Sequence, residues 1–311
     1  MRHFALAALF FCLASGAAQA QTTEPTSQDL SGEALRLVNQ DRVQNNLAEL
    51  TPGQDLQEAA SAHAQDMLER NYYDHVSPSG ADVQDRFIDA GGSRWELVAE
   101  NIARCQGCAT DLQTLSQLQQ GWMESPGHRR NILSQGVARF GFGIASGNGT
   151  LYAVQNFAGP GTPRGLEPGQ TAEPVTDAAA ADILLESVNL ERQQAGAEAL
   201  ALSEPLTNAA HELLPASDDA QFAIDTDSNP YDALPEDART GWSRLSLASS
   251  ACGGCGAEQT QADVQSFASQ WLEAPNTRRS LLAEDLTHIG FAMAANGTGK
   301  KVAVMLTGTA R

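Results

Sequence analysis

Six polar side chains in the first half of the chain are of types that bind ligands or transfer protons. Glu100 stands in LVAENIARC among apolar neighbours, and a carboxylate in such a setting must find a partner. His128 follows Ser125-Pro126, a pair typical of the start of a short helix, with the serine as its predicted cap. A rigid turn should therefore position this imidazole. The six candidates are His63, His75, Glu100, Asn101, Glu124 and His128.

The segment that carries His128 is written twice. WMESPGHRRNIL begins at Trp122 and WLEAPNTRRSLL begins at Trp271, with Thr277 in place of the histidine. LVNQDR and SVNLER, CQGC and CGGC, two Gly-Phe pairs and two Asn-Gly-Thr segments repeat in the same order, 147 to 150 residues apart. This order indicates a tandem duplication into copy one and copy two.

Copy two has lost several of the candidate residues as a group. Glu100 aligns with Leu247, and no histidine aligns with His75 or with His128. Residues that disappear together are expected to act together. Ala274, which replaces the capping serine, predicts that the short helix is distorted in this copy.

The elements that must position these side chains follow from apolar periodicity. Four amphipathic helices are predicted in copy one, over GEALRLVNQDRVQNNL, DLQEAASAHAQDMLERN, DVQDRFIDAG and TDLQTLSQLQQGWM. His63 lies on the apolar face of the second helix, a setting typical of a core histidine. Alternating apolar residues around Asn148-Gly149 predict a β-hairpin. Helices followed by a hairpin indicate an α+β layered domain.

Composition divides the chain into five segments. Residues 1–20 have the layout of a secretory signal peptide, with an early arginine, an apolar run too short to span a bilayer and a small-residue cleavage site. A polar stretch covers 21–30, copy one covers 31–158, a Pro/Gly-rich linker covers 159–178 and copy two covers 179–311. We therefore expect a secreted or periplasmic protein with no transmembrane segment.

Charge narrows the classes of partner. The chain has 19 Lys and Arg against 38 Asp and Glu, a formal net charge of −19. Such a surface repels phosphate backbones and anionic headgroups, so nucleic acid and acidic membranes are not expected partners.

The cysteines form two closely spaced pairs. In an exported protein, Cys105 with Cys108 and Cys252 with Cys255 are expected to form two local disulfides. A thioredoxin-like redox site is the alternative, but it requires a preceding strand in a βαβ unit, and the sequence does not predict one. Retention of the pair in copy two favours a structural role.

Copy one resembles the CAP superfamily, also called SCP or PR-1-like, in its bacterial secreted form. The resemblance rests on AHAQDM, YYDHVSPSG, AENIA, WMESPGHRRNIL and GFGIA with YAVQNF, in family order over about residues 33–158. It implies an α-β-α sandwich, here duplicated with a degenerate second copy.

The same resemblance implies a cleft lined by two histidines and two acids, which in some members holds a divalent metal. On this chain those positions are His75, Glu100, Glu124 and His128. The family's second acid usually lies three residues after the tryptophan, whereas Glu124 lies two after Trp122. One residue on a helix is a rotation of about 100°. The group would suit zinc, or less well another divalent cation.

Three functions follow from these residues. We favour a binding module for a small ligand, lipid or peptide, because the site offers no activated nucleophile, cofactor loop or oxyanion hole. The alternative is a metal-dependent peptidase or esterase, with Glu100 or Glu124 as general base. The third is a structural protein of the cell envelope with an envelope protein as its partner.

Overall fold

Two four-stranded sheets, one in each copy, form the centre of the fold. The structure is a computed structural model that describes residues 26–166, 172–216, 222–225 and 228–311. Helices cover both faces of each sheet, so the expected α+β class and duplicated α-β-α sandwich are confirmed. The predicted signal peptide and part of the linker lie outside the described residues.

Copy one is built from helices around an antiparallel hairpin and its neighbouring strand. Its elements are α1 (Ser27–Gln44), β1 (Thr51–Pro52), α2 (Gln54–Arg70), α3 (Val83–Asp89), β2 (Leu97–Gln106), α4 (Leu112–Glu124), α5 (Pro126–Ile132), β3 (Arg139–Gly147) and β4 (Thr150–Gly159).

Copy two repeats this order. Its elements are α6 (Asp177–Gln194), β5 (Ala201–Leu202), α7 (Glu204–Glu212), α8 (Glu236–Arg239), β6 (Trp242–Cys252), α9 (Gln261–Glu273), α10 (Pro275–Leu281), β7 (His288–Ala295) and β8 (Lys301–Ala310).

Both sheets have the same topology. The strand orders are β1-β3-β4-β2 and β5-β7-β8-β6, with the short strand parallel and the other pairings antiparallel. Successive residues of a strand face opposite sides. Leu151 and Ala153 of β4 therefore pack against α1 and α4, while Tyr152 and Val154 pack against α2. Strand β2 lies at the edge of the sheet, so it has a neighbouring strand on one side only.

A buried arginine fastens the first helix of each copy to the rest of the domain. The Arg42 guanidinium donates to the carbonyl oxygens of Ala48, Ile132 and Ser134 at 2.8 Å each. Arg192 makes the equivalent bonds in copy two. The repeated NQDR and NLER motifs thus have a structural role and do not contribute to the candidate site.

Two glycines allow a helix to lie directly on each sheet. A Cβ on Gly141 would stand 2.2 Å from the carbonyl carbon of Leu56, and one on Gly290 would stand 2.3 Å from that of Leu206. Helices α2 and α7 therefore approach their sheets as closely as backbone allows. The predicted hairpin is also present, with Asn148 at φ 51°.

The structure differs from the sequence prediction at several boundaries. Strand β2 was not predicted, although it carries Glu100. Helix α1 begins at Ser27, inside the stretch predicted to be polar and separate, and α6 begins at Asp177, inside the predicted linker. Leu30 of the polar stretch is buried in the core, because the apolar face of α1 starts one turn earlier than the repeat suggests.

The predicted distortion of the short helix in copy two is wrong. Helix α10 has the same seven-residue length as α5, and Ala274 adopts nearly the same backbone angles as Ser125. Ser125 occupies the cap position but its side chain makes no capping hydrogen bond, so its replacement costs the helix nothing there. Proline at the first helical position is common to both.

The two copies touch through the Gly253–Gly256 segment of copy two. Gly254 N–H donates to the Trp95 carbonyl at 2.7 Å, and Gly256 N–H donates to the Pro160 carbonyl at 2.7 Å. The Lys300 ammonium lies 3.8 Å from the centre of the Trp95 ring. The second cysteine pair thus sits in the contact between copies. No helix within the described ranges is long and apolar enough to cross a membrane.

Candidate functional site

Glu100 is the centre of a buried ion-pair cluster on the α2 and α3 face of β2. Its carboxylate is almost completely buried. His75 Nδ1 lies 2.8 Å from Oε1, and Arg86 Nη2 donates to Oε2 at 2.8 Å. The sequence predicted a partner for this buried carboxylate, and the structure shows two basic side chains, one at each oxygen.

Arg86 is the functional residue that the sequence analysis missed. From α3 its Nη2 also donates to the carbonyl of His75 at 3.0 Å, and its Nη1 donates to the carbonyl of Ala81 at 2.9 Å. It thus ties the loop before α3 to Glu100. Copy two keeps this arginine as Arg239 of α8, which donates to the carbonyls of Leu234 and Asp232, but Leu247 replaces its carboxylate. The sequence therefore carries no local signal that Arg86 meets Glu100.

His75 lies between the buried carboxylate and solvent. Half of its side chain is exposed, at 52%. The hydrogen bond with Glu100 raises the pKa of His75 above its ordinary value, and burial opposes this rise. The protonated imidazole is therefore stabilised, with its Nε2 edge left for another partner.

His63 lies beneath the site and not in it. Its ring is fully buried, and Nε2 is 3.1 Å from the carbonyl oxygen of Asp74 and 3.8 Å from Glu100 Oε1. The Tyr72 hydroxyl lies 3.3 Å from Nδ1. Burial lowers the pKa of His63, so the neutral ring is favoured. It supports the Asp74–His75 loop from below.

His128 approaches the cleft from the other side of β2, on helix α5. It is partly buried. Burial lowers the pKa of His128, and the charge of the nearby His75 lowers it further. The two imidazoles thus influence each other across the edge strand, and protonation of one disfavours protonation of the other.

Asn101 does not line the cleft beside Glu100, because neighbours in a strand point to opposite faces. Its fully buried amide donates to the His128 carbonyl at 3.3 Å and to Gln155 Oε1 at 3.0 Å. Asn131 Nδ2 donates to Asn101 Oδ1 at 2.9 Å and to the Glu100 carbonyl at 3.1 Å. These amides hold α5, and with it His128, against β2.

The amide network continues into the core of the α1 and α4 face. Gln155 Nε2 donates to Gln119 Oε1, and Gln119 Nε2 donates to Asp41 Oδ2, both at 2.7 Å. Buried amides that are fully paired rigidify their surroundings. The network links α1 and α4 to the strand that carries Glu100.

Glu124 stands apart from the cluster. It is exposed at the end of α4 and accepts a hydrogen bond from Gln120 Nε2 at 2.8 Å on the same helix. Glu124 lies one residue before the position usual in the family, and the helical rotation directs its carboxylate along α4. Within the part of the chain that the structure describes, no group of three or more His, Cys, Asp or Glu side chains is arranged to hold a metal ion.

The four paired cysteines lie at disulfide distance as expected. The Cα–Cα separations are 5.8 Å for Cys105 with Cys108 and 6.1 Å for Cys252 with Cys255. A strand precedes each pair and a helix follows, but β2 and β6 are antiparallel to their neighbours. These cysteine pairs therefore do not lie in the parallel βαβ unit that thioredoxin-like chemistry needs.

Copy two keeps the positions of the site and changes their chemistry. Glu100 pairs in register with Asn156, which also faces Gly141, and Leu247 pairs with Leu306, which also faces Gly290. Leu247 therefore occupies the position of Glu100. The same alignment places Ala248, Ser280, Met305 and Thr277 where Asn101, Asn131, Gln155 and His128 stand.

Comparison with known sequences identifies the family. The sequence model of the cysteine-rich secretory protein family (CAP) matches residues 35–157 and again residues 185–307, together more than half of the chain. This chain belongs to the CAP family. Both copies carry the match, although copy two has lost the ionised cleft.

Two curated relatives from Bacillus subtilis strain 168 match one CAP copy. The uncharacterized protein YkwD is 31% identical over 123 residues, which are 40% of this chain and 45% of that protein. The uncharacterized membrane protein YlbC is 33% identical over 127 residues, 40% of this chain and 33% of that protein. The chain thus spans less than half the length of either relative.

Among solved structures, an extracellular protein containing an SCP domain from Bacillus anthracis strain Ames is similar to part of this chain. It is 28% identical, and the alignment covers 44% of each chain with a TM-score of 0.35.

Proposed function

We propose that copy one is an exported binding module that holds a small ligand, lipid or peptide at the edge of β2, without turnover. The observation that carries this proposal is the state of Glu100. Both of its oxygens are held, one by His75 and one by Arg86. A carboxylate engaged in this way is neither a free general base nor an open metal ligand.

The groups left for a ligand are the outer edge of His75 and the ring of His128. Both are donors when protonated, and they are close enough for the charge of His75 to lower the pKa of His128. Such a pair suits a ligand that offers an acceptor oxygen, such as a carboxylate or a peptide carbonyl. Apolar surface beside the cleft, including the exposed side chain of Val76, would bind the rest of it.

Zinc or another divalent cation remains a proposal for the same two imidazoles. Glu100 would then act as the carboxylate that orients His75, an arrangement common behind metal-bound histidines. Two imidazoles are one fewer than the three protein ligands of a typical catalytic zinc. Glu124, bonded to Gln120, does not supply the third, and this favours binding over hydrolysis.

Export of the protein to the periplasm or beyond is part of the proposal. It is supported by the signal-like residues 1–20 and by two cysteine pairs at disulfide distance, which persist in oxidising compartments. Copy two, without the ion-pair cluster, would pack against copy one or contact a partner in the envelope.

The test is native mass spectrometry with elemental analysis on protein purified from its own host. We expect a stoichiometric bound molecule that His128→Ala releases, while the matched copy-two variant Thr277→Ala retains it. Hydrolysis of casein or simple esters that requires bound zinc and His128 would replace this proposal with the hydrolase. Replacement of both histidines that alters only stability or assembly would indicate a structural envelope protein.

A further inference from the structure

Copy two contains a pocket beside its edge strand β6. It has a volume of about 150 Å³ and lies between α10, β6 and β8. Its apolar walls are Leu247, Ala248, Leu281 and Met305. The other lining residues are uncharged but polar: Ser246, Asn276, Thr277, Ser280 and Thr307.

The pocket occupies the space that the amide network fills in copy one. Ala248 replaces Asn101, and Ser280 replaces Asn131, so two side chains that cross-link α5 to β2 are cut short. Met305 replaces Gln155, which removes the remaining buried amide on this face of the strand. A space filled by paired amides has thereby become an uncharged hollow, because α10 has the same length and start as α5.

Positive charge lies next to this hollow. An adjoining depression of about 270 Å³ shares Ser246, Ser280 and Thr307 with it and is lined by Arg244 and Arg279. Arg244 is bound to Asp285 at 2.8 Å in an exposed pair. Within the described residues, no carboxylate forms a salt bridge with the exposed Arg279. A guanidinium without a carboxylate partner favours an anion at this position.

We propose that copy two binds a small monocarboxylate with an apolar body about the size of a benzene ring. A cavity of roughly 150 Å³ has the capacity for one such ring. The ring lies among Ala248, Leu281 and Met305, and the carboxylate extends past Ser280 to Arg279, where a charge-assisted hydrogen bond forms. This site differs from the cleft of copy one in position on the sheet and in chemistry.

The test uses phenylacetate as the probe and methionine methyl groups as reporters. Met305 lines the pocket, whereas Met67 and Met123 lie in copy one. In full-length protein labelled at methionine methyls, titration with phenylacetate should shift the Met305 resonance saturably at one-to-one stoichiometry. The Met67 and Met123 resonances should stay fixed. A Met305 resonance that does not move at saturating probe overturns the proposal.

Two variants separate the two ends of the site. Arg279→Gln should weaken phenylacetate binding roughly tenfold and leave the neutral analogue 2-phenylethanol unaffected, and Arg130→Gln, the matched change on α5, should alter neither. Thr277→Phe should fill the pocket and abolish binding of both probes. The proposal is overturned if Arg279→Gln binds phenylacetate as tightly as the wild type does. It is also overturned if a folded Thr277→Phe variant still binds either probe.

Discussion

The two copies share a frame and differ in what they bury beside their edge strands. In copy one, Glu100, His75 and Arg86 form an ion-pair cluster on one face of β2, with an amide network on the other. In copy two, the same face positions are Leu247 and Ala248. The sheet orders are nevertheless identical. The CAP frame therefore forms without these polar residues.

The largest difference between the copies should appear when Glu100 is neutralised. Glu100→Gln leaves the mostly buried Arg86 without its carboxylate, and we expect a loss of about 3 kcal/mol in the free energy of unfolding of copy one. Hydrogen exchange should show lost protection in β2 and unchanged protection in β6.

Two controls make this result interpretable. Glu124→Gln, at an exposed acid bonded only to its own helix, should change stability by less than about 0.5 kcal/mol. The double variant Arg86→Met/Glu100→Leu makes both members of the ion pair apolar and should lose less than Glu100→Leu alone. Equal losses would mean that the ion pair does not account for the effect.

The next effect is expected in the amide network. Gln155→Met installs the residue of copy two, removes one of the two acceptors of the Asn101 amide and leaves the side-chain carbonyl of Gln119 without its donor, at a cost of about 2 kcal/mol. Denaturant unfolding measures the loss. The reverse change, Met305→Gln in copy two, places an unpaired amide beside the pocket and should also destabilise, so stabilisation there would contradict the interpretation.

Replacing the two cysteine pairs should affect different regions of the protein. Closing a loop this short contributes about 2 kcal/mol in either copy. Replacing Cys252 and Cys255 by serine should also expose Trp95, because their segment bonds to its carbonyl. Replacing Cys105 and Cys108 should leave Trp95 covered. Trp95 fluorescence and hydrogen exchange at Leu97 distinguish the two variants, and identical responses would refute the difference.

The smallest effect concerns pH. Since the folded-state pKa of His75 lies above its unfolded value of about 6.5, its contact with Glu100 stabilises the fold below that pH and is lost as the pH rises through the raised pKa. His63 has the opposite sign, because its lowered pKa makes acidification destabilising. NMR titration should show the His75 pKa falling in Glu100→Gln and unchanged in Glu124→Gln.

Local sequence signals predicted the helices and the hairpin, while contacts between distant segments escaped them. The apolar faces of α1 and α2 and the Asn-Gly turn are written within a few residues. Strand β2 was missed because its apolar run is broken by Glu100 and Asn101, whose burial depends on partners elsewhere in the chain.

The candidate site was predicted in part for the same reason. The joint loss of His75, Glu100 and His128 from copy two grouped residues that the fold brings to one edge strand. Arg86 lies on another helix, and only tertiary contact reveals it. The misplacement of Asn101 and Glu124 follows from side-chain direction, which is set by the pleat of a strand and the rotation of a helix.

The contact of Gly254 with Trp95 means that the two copies are not structurally independent domains. Copy one expressed by itself would uncover the Trp95 ring and enlarge the exposed surface of Leu97, which is already 37% exposed. Such a fragment should self-associate at concentrations where the intact chain stays dispersed. The copy that lost its charged cleft therefore covers apolar surface of the copy that kept it.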